Sequence, residues 1–338
     1  MRTVFFVAAT VGGSLLLLFL LRSYGVDAVG ADVADLGWGA VWVCALRVVQ
    51  ISGAGLAWSR LLPRAAGVPL LRFLMLRWMR ESINALLPVA QIGGELVGAR
   101  LLTFAGVEGG LAGASVLVDV LTQASTQFVF ALIGFALLVH AGGDASLVRW
   151  IGIGLAVMGP ALGAFFLVQR FGGFKLIERA LMRLAADPKW ASLGKVANLN
   201  QRIQEIYRRR RRLLTAFAIH LAVWFVGVFE IHIALAYMGF PVSYAQALII
   251  ESLGHAVRGA AFAVPGALGV QEGGFILLCA LFGIPAPAAL ALSLVKRLPE
   301  LVFGIPGLFA WQALEGRRLF RTRAARPLAA ELAAEEAR

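Results

Sequence analysis

The chain contains 338 residues, of which 60% are hydrophobic and 15% are charged, and its net charge is +12. A water-soluble domain carries about 45–50% apolar and about 25% charged residues, so the composition excludes a soluble globular protein and a disordered chain. The basic residues lie in blocks between apolar segments, which indicates membrane orientation and not nucleic-acid binding. The two cysteines lie far apart without metal-ligand spacing, and we expect no metal or other cofactor.

Six segments are long and apolar enough to cross a membrane as helices of about 20 residues. They cover residues 4–21, 38–58, 111–139, 150–168, 213–238 and 286–311. Lys and Arg accumulate in the cytoplasmic loops of membrane proteins. The basic stretches 59–80 and 170–212 and the tail 314–338 are therefore predicted to be cytoplasmic, which places both termini in the cytoplasm. Part of 170–212 has helical spacing, which predicts either an amphipathic helix on an anionic lipid surface or a solvated loop.

Two further apolar segments, 79–104 and 247–284, each begin and end on one side of the membrane in this topology. Irregular backbone at membrane depth is tolerated only where protein or a water-filled cavity surrounds it. Each segment is therefore predicted to be a re-entrant helical hairpin beside a polar pathway. The predicted helix breaks lie at Pro88, Gly93 and Gly94 and at Pro265, Gly266 and Gly269.

The two hairpins correspond to each other when the sequence is shifted by a constant number of residues. The aligned pairs are Pro88 with Pro265, Glu95 with Glu272, and Asp119 with Lys296. Three predicted spans separate the copies, so the second is inverted. The predicted fold is an all-α polytopic membrane protein with about six transmembrane helices and two oppositely oriented re-entrant hairpins. Residues 1–139 and 150–313 form the halves of this inverted repeat, which is typical of secondary transporters with a site near the membrane midplane.

Charged side chains within the apolar segments are the candidate site. Each costs about 2.5–3.5 kcal/mol at membrane depth on insertion scales, and such residues are usually functional. Glu95 and Glu272 follow the helix breaks, where each either complements its own half-helix or meets a cationic head group or a coupling proton. Arg258 and Lys296 are candidates for binding an anionic group, although Lys296 can instead pair with Glu300. The predicted substrate-binding residues are Glu81, Glu95, Asp119, Glu251, Arg258, Glu272 and Lys296.

Four other polar residues lie within predicted spans. Arg47 is alone in its span, so we expect it to face the protein interior. His220, Glu230 and His232 lie nearer the ends of their span and are predicted to be interfacial.

Two sequence stretches resemble a known family. The strings WMRESINALLPVAQIGGELVGARLL at 78–102 and AVPGALGVQEGG at 263–274 are similar to the transmembrane flippase-like region of the lysylphosphatidylglycerol synthase family. The first string is most similar to a stand-alone branch associated with hopanoid biosynthesis. The resemblance implies a bacterial inner-membrane protein that moves a polar-headed lipid, either a hopanoid or an aminoacylated phospholipid. The soluble aminoacyl-transferase domain of the full-length synthases is expected to be absent.

Two other functions remain open at this point, an accessory subunit for lipid-biosynthesis enzymes and an intramembrane lipid-modifying enzyme. The sequence contains no GxxxxGK[ST] nucleotide-binding motif, and the segment PGALGVQEGG contains a glutamate but no Ser, Thr or His. We therefore expect a non-enzymatic protein whose partners are membrane lipids. A homo-oligomer or a complex with lipid-biosynthesis enzymes is also compatible with the sequence, whereas nucleic acid is not an expected partner.

Overall fold

The computed structural model describes residues 15, 16, 18–63, 66–87, 93–171, 198–261 and 264–335, with side chains described to residue 316 except that at 265. These residues form helices and turns without a strand, which confirms the prediction of an all-α protein. The helices are α1 (Val26–Asp35), α2 (Gly39–Leu61), α3 (Leu70–Leu86), α4 (Gly93–Phe104), α5 (Gly109–His140), α6 (Ala145–Arg170), α7 (Leu199–Arg208), α8 (Arg210–Tyr237), α9 (Tyr244–Ala260), α10 (Val270–Ala280) and α11 (Ala286–Glu335). A short 3-10 turn, Pro265–Ala267, precedes α10.

Four helices of the described part, α2, α5, α6 and α8, are long and apolar enough to cross a membrane. They coincide with four of the predicted spans, so the chain is a multi-pass membrane protein. Helix α11 contains the predicted span 286–311 but carries three charged residues within it. Most of the predicted first span, 4–21, and most of the predicted basic loop, 172–197, lie outside the described residues. The total number of spans therefore stays a prediction.

Helix α3 begins at Leu70, well before the predicted start of the first hairpin at residue 79. Residues 70–80 are therefore helical and do not form a loop, whereas the cytoplasmic placement of 59–80 stays a prediction. Arg77 and Arg80 do not lie in a solvated loop, because their spacing of three residues places both on the face of α3 that packs into the protein. Their exposed fractions are only 2% and 1%.

The helix boundaries of the two halves repeat at the offset that the sequence predicts. The corresponding starts are Gly93 of α4 with Val270 of α10, and Gly109 of α5 with Ala286 of α11. Each of the two turns before α5 and α11 contains a glycine with positive φ, namely Gly106 at +87° and Gly283 at +73°. Glycine adopts this conformation without steric cost. These correspondences favour a duplication, while the inverted orientation of the copies stays a prediction.

Helices from the two halves pack against each other. The corresponding helices α2 and α8 form an extensive interface, while α3 packs on α11 and α9 packs on α5. The hairpin helix of each half thus contacts the last helix of the other half. The α5–α9 contact is close at Gly134, because a Cβ atom there would overlap the Ser252 hydroxyl and lie 2.9 Å from the Ser252 Cβ.

We expect Gly134→Ala to destabilise the protein by about 1–3 kcal/mol, because the added methyl group would force α5 and α9 apart. The measurement is thermal unfolding of the purified protein in detergent. Gly154→Ala on α6 is the matched control, since a Cβ at Gly154 would meet no atom within 4 Å and alanine is the better helix former. Equal melting temperatures for the two variants would contradict the close packing of α5 on α9.

Candidate functional site

A polar cavity of about 290 Å³ lies among helices α2, α3, α5, α8 and α9, with one residue each from α4 and α11. Both halves of the chain therefore contribute to its wall. A volume of this size suits a small polar head group and is too small for a whole lipid. Its ionisable lining residues are Arg47, Arg77, Glu81, Glu95, His220, Glu251, His255, Arg258 and Glu300.

The first charge cluster is organised around Asp119 of α5, whose side chain is fully buried. Its Oδ2 accepts hydrogen bonds from Arg77 at 3.0 Å and from Arg80 at 2.7 Å. Its Oδ1 lies 2.9 Å from Nε2 of His220 on α8. One carboxylate thus holds α3, α5 and α8 together, because a buried charge requires several close partners.

The two arginines on Asp119 also reach carboxylates at the cavity wall. Arg77 pairs with Glu81, and Arg80 pairs with Glu95. Asn84 donates to Oε1 of Glu95 at 3.1 Å, while its Oδ1 accepts from the Gly94 N–H at 2.9 Å. The start of α4 is therefore fixed against α3, and the Glu95 carboxylate is held at the cavity wall with 19% of its side chain exposed.

The second charge cluster is organised around Lys296 of α11. Its ammonium group lies 2.8 Å from Oε2 of Glu251 and 3.2 Å from Oε2 of Glu230. Gln50 donates to Glu230 at 3.2 Å, and His255 lies 3.0 Å from Oε1 of Glu251. Lys296 aligns with Asp119 in the sequence repeat. The central residues of the two clusters therefore occupy equivalent positions in the two halves and carry opposite charges.

A third group of charges lies at the break between α9 and α10. Oε2 of Glu272 accepts from the Gly269 N–H at 2.6 Å, and its Oε1 accepts from Arg297 at 2.7 Å. Arg297 also donates to the Gly266 carbonyl at 3.0 Å. Glu272 is fully buried and is not among the cavity-lining residues. This geometry fits the helix-capping alternative for Glu272, whose bonds hold the turn in place.

Arg258 of α9 forms a separate ion pair at the cavity wall. Its guanidinium lies 2.6 Å from Oε1 of Glu300 on α11 and donates to Gln271 at 3.0 Å. Glu300 therefore pairs with Arg258 and not with Lys296. About a fifth of the Arg258 side chain is exposed, so a ligand in the cavity can reach it.

The predicted substrate-binding residues fall into two groups. The cavity is lined by Glu81, Glu95, Glu251 and Arg258. Asp119, Lys296 and Glu272 lie behind the wall, where they hold other charged residues. Among the predicted helix-break residues, Gly93 and Gly94 begin α4, and Pro265, Gly266 and Gly269 lie between α9 and α10, where Gly266 and Gly269 have positive φ. Pro88 lies outside the described residues.

Several polar residues have positions that the sequence predictions missed. His220 and Glu230 are buried within the charge clusters, so their predicted interfacial position is wrong. Arg77 joins Asp119 and Glu81 of the first cluster although it was assigned to a loop. Arg77, Glu81 and Asn84 are spaced as one helix face, and this spacing is the signal that identifies them. Arg47 lines the cavity, in agreement with its predicted interior position.

The described ion pairs of this region carry one surplus negative charge when His220 and His255 are neutral. The cationic residues are Arg47, Arg77, Arg80, Arg258, Lys296 and Arg297. The anionic residues are Glu81, Glu95, Asp119, Glu230, Glu251, Glu272 and Glu300. Because uncompensated charge is costly at low dielectric, the site favours one additional proton or cationic group.

Residues 5–307 match a family model described as the lysylphosphatidylglycerol synthase TM region. The match spans most of the chain and contains every residue that lines the cavity. Searches of curated proteins and of solved structures each returned no match.

Proposed function

We propose, since the chain belongs to the lysylphosphatidylglycerol synthase transmembrane-region family, that it moves a polar-headed lipid between leaflets of the bacterial inner membrane. The family connects the chain to lipid handling, and leaflet exchange is our proposal within that framework. The observation that carries it is the cavity between the two halves, which contains charged groups of both signs. A hopanoid with a polar head or an aminoacylated phospholipid is the proposed substrate class.

In this mechanism the polar side chains of the cavity replace the water molecules that a lipid head group loses on entering the membrane. A cationic amine of the head group binds Glu81 and Glu95, which satisfies the surplus negative charge. An anionic or hydroxyl group of the lipid binds the exposed part of the Arg258 side chain, while Arg258 stays paired with Glu300. The charged groups of the head group and of the cavity thus keep partners throughout, and this matters because a buried unpaired charge is costly. The acyl or hopane chains remain in the bilayer.

The paired helices of the two halves supply the proposed conformational change. The contacts of α3 on α11 and of α9 on α5 correspond to each other at the repeat offset. If the repeat is inverted, loosening one contact and tightening the other opens the cavity toward opposite membrane faces in turn. We place both termini in the cytoplasm in this arrangement.

We propose that the protein performs this exchange without covalent chemistry. The lining residues of the described cavity include no Ser, Thr, Cys or Tyr, which favours transport over an acyl or phosphoryl transfer through a side-chain hydroxyl or thiol nucleophile. An accessory role is a second alternative, and it predicts that changes to the cavity charges have no effect on lipid movement.

The test is a leaflet-resolved lipid assay in proteoliposomes that contain fluorescent lysyl-phosphatidylglycerol, whose head group carries the cationic amine. We expect Glu95→Gln to lower the rate of movement by about tenfold or more, because a tenfold change corresponds to about 1.4 kcal/mol, within the range of one charge-assisted contact. Glu205→Gln, on α7 outside the predicted spans, is the matched control and should keep the wild-type rate. Equal rates for both variants at equal insertion, or wild-type vesicles that behave as protein-free ones, would overturn the proposal.

A further inference from the structure

A second concave surface lies outside the central cavity, where α2 ends and where α3 and α8 begin. Its volume is about 350 Å³. Its floor includes the buried side chains of Leu62 and Phe73, and its charged lining residues in the described chain are Arg60, Arg211 and Arg212. No acidic residue is among the described residues that line it. We refer to this surface as the arginine pocket.

The arginines of the pocket differ in their attachment to the protein. Arg212 donates to the Leu62 carbonyl at 2.7 Å, which fixes its guanidinium at the end of α2. Arg60 and Arg211 are exposed and form no ion pair with a described residue. Two guanidinium groups are thus available beside one that is already oriented, an arrangement suited to the several oxygen atoms of one phosphate.

The start of α3 adds to the positive potential of the pocket. This 17-residue helix follows Pro69 and has no side-chain cap, and its first residue, Leu70, lines the pocket. The unpaired N–H groups and the dipole of such a helix end favour an anion. Basic side chains and a helix N-terminus therefore act on the same volume.

The apolar part of the pocket distinguishes a lipid from a free anion. Leu70 and Leu71 beside it are exposed, with 46% and 69% of their surface accessible. Apolar side chains beside a cluster of arginines match the boundary between acyl chains and phosphates at a membrane surface. The pocket also lies at the ends of α2 and α8, where the predicted topology places the cytoplasmic face.

We infer that the arginine pocket binds the phosphate of an anionic phospholipid, with the glycerol and first acyl carbons over Leu62, Phe73 and Leu70. This site is separate from the central cavity. Its ligand would contact both α2 and α8 where these two helices meet, so a bound lipid would stabilise their interface by linkage.

The test is binding of short-chain lipids to the full chain in detergent, followed by native mass spectrometry and by the shift in melting temperature. The probes are dihexanoyl-phosphatidylglycerol, dihexanoyl-phosphatidylcholine and inorganic phosphate. We expect phosphatidylglycerol to bind at least tenfold more tightly than either of the others. We expect Arg60→Gln combined with Arg211→Gln to abolish that preference.

Arg208→Gln combined with Arg209→Gln is the matched control, because it removes the same amount of charge, from the basic run that contains Arg211, without touching the pocket lining. The control should keep the preference for phosphatidylglycerol. Equal losses in both double variants would show that only the general positive surface matters and would overturn the proposal, as would equal binding of inorganic phosphate or phosphatidylcholine. If the glutamine variant does not fold, Arg60→Lys with Arg211→Lys decides, since loss of the paired guanidinium groups should weaken binding severalfold, whereas unchanged binding would contradict the site.

Discussion

Asp119→Asn is expected to destabilise the protein by about 3–5 kcal/mol, among the largest single-residue effects in the chain. The substitution preserves side-chain size but removes the negative charge that Arg77 and Arg80 share at 3.0 and 2.7 Å. Both arginines are almost fully buried, so water cannot replace the lost partner. The measurement is the melting temperature in detergent, together with the amount of protein recovered from the membrane.

A double variant separates the charge from the shape of the Asp119 site. In Asp119→Asn with Arg80→Gln, the remaining Arg77 still has Glu81 as a partner. Glu95 loses Arg80 but keeps its hydrogen bond from Asn84 and its exposure to the polar cavity. We therefore expect the double variant to be more stable than Asp119→Asn alone, although two substitutions would normally destabilise more than one. A double variant less stable than the single one would show that shape and hydrogen bonding, and not charge balance, dominate at this position.

Much of the fold was accessible from the sequence because apolar segments of helical length leave few alternatives in a membrane. The positions of α2, α5, α6 and α8 follow from that constraint. The turns at Gly106 and Gly283 agree with the repeat, since in both copies a glycine followed by a β-branched residue, Val107 or Ile284, ends the helix. The boundaries of the first hairpin were less accessible, because α3 begins within a basic stretch whose composition is that of a loop.

The sequence did not predict which charged residues pair with each other. Lys296 and Glu300 lie one helical turn apart, and local spacing favours a pair between them. The structure instead pairs Lys296 with Glu251 and Glu300 with Arg258. Those partners lie on α9, and their proximity depends on how the helices of the bundle are arranged around α9 and α11.

Glu272 shows the same limit at a helix end. Glu272 lies three residues after Gly269, the residue that precedes α10. A glutamate at this position can either cap the helix or face a ligand, and the sequence is the same in both cases. The hydrogen bond from Gly269 and the ion pair with Arg297 assign it to the cap. Arg297 is adjacent to Lys296, yet these two side chains hold different carboxylates because successive helix positions face different directions.

Lys296→Met is expected to destabilise the protein by about 3–5 kcal/mol, as much as Asp119→Asn, but here the charge that is lost is positive. Removing the ammonium group leaves the buried Glu230 and Glu251 without their shared cation. We expect a lower melting temperature and loss of lipid movement in the proteoliposome assay, since Glu251 lines the cavity.

Lys296→Met combined with Glu251→Gln should recover stability, because Glu230 keeps its hydrogen bond from Gln50. Recovered stability without recovered transport would separate the fold from the site, whereas an unchanged melting temperature in the single variant would contradict the charge cluster.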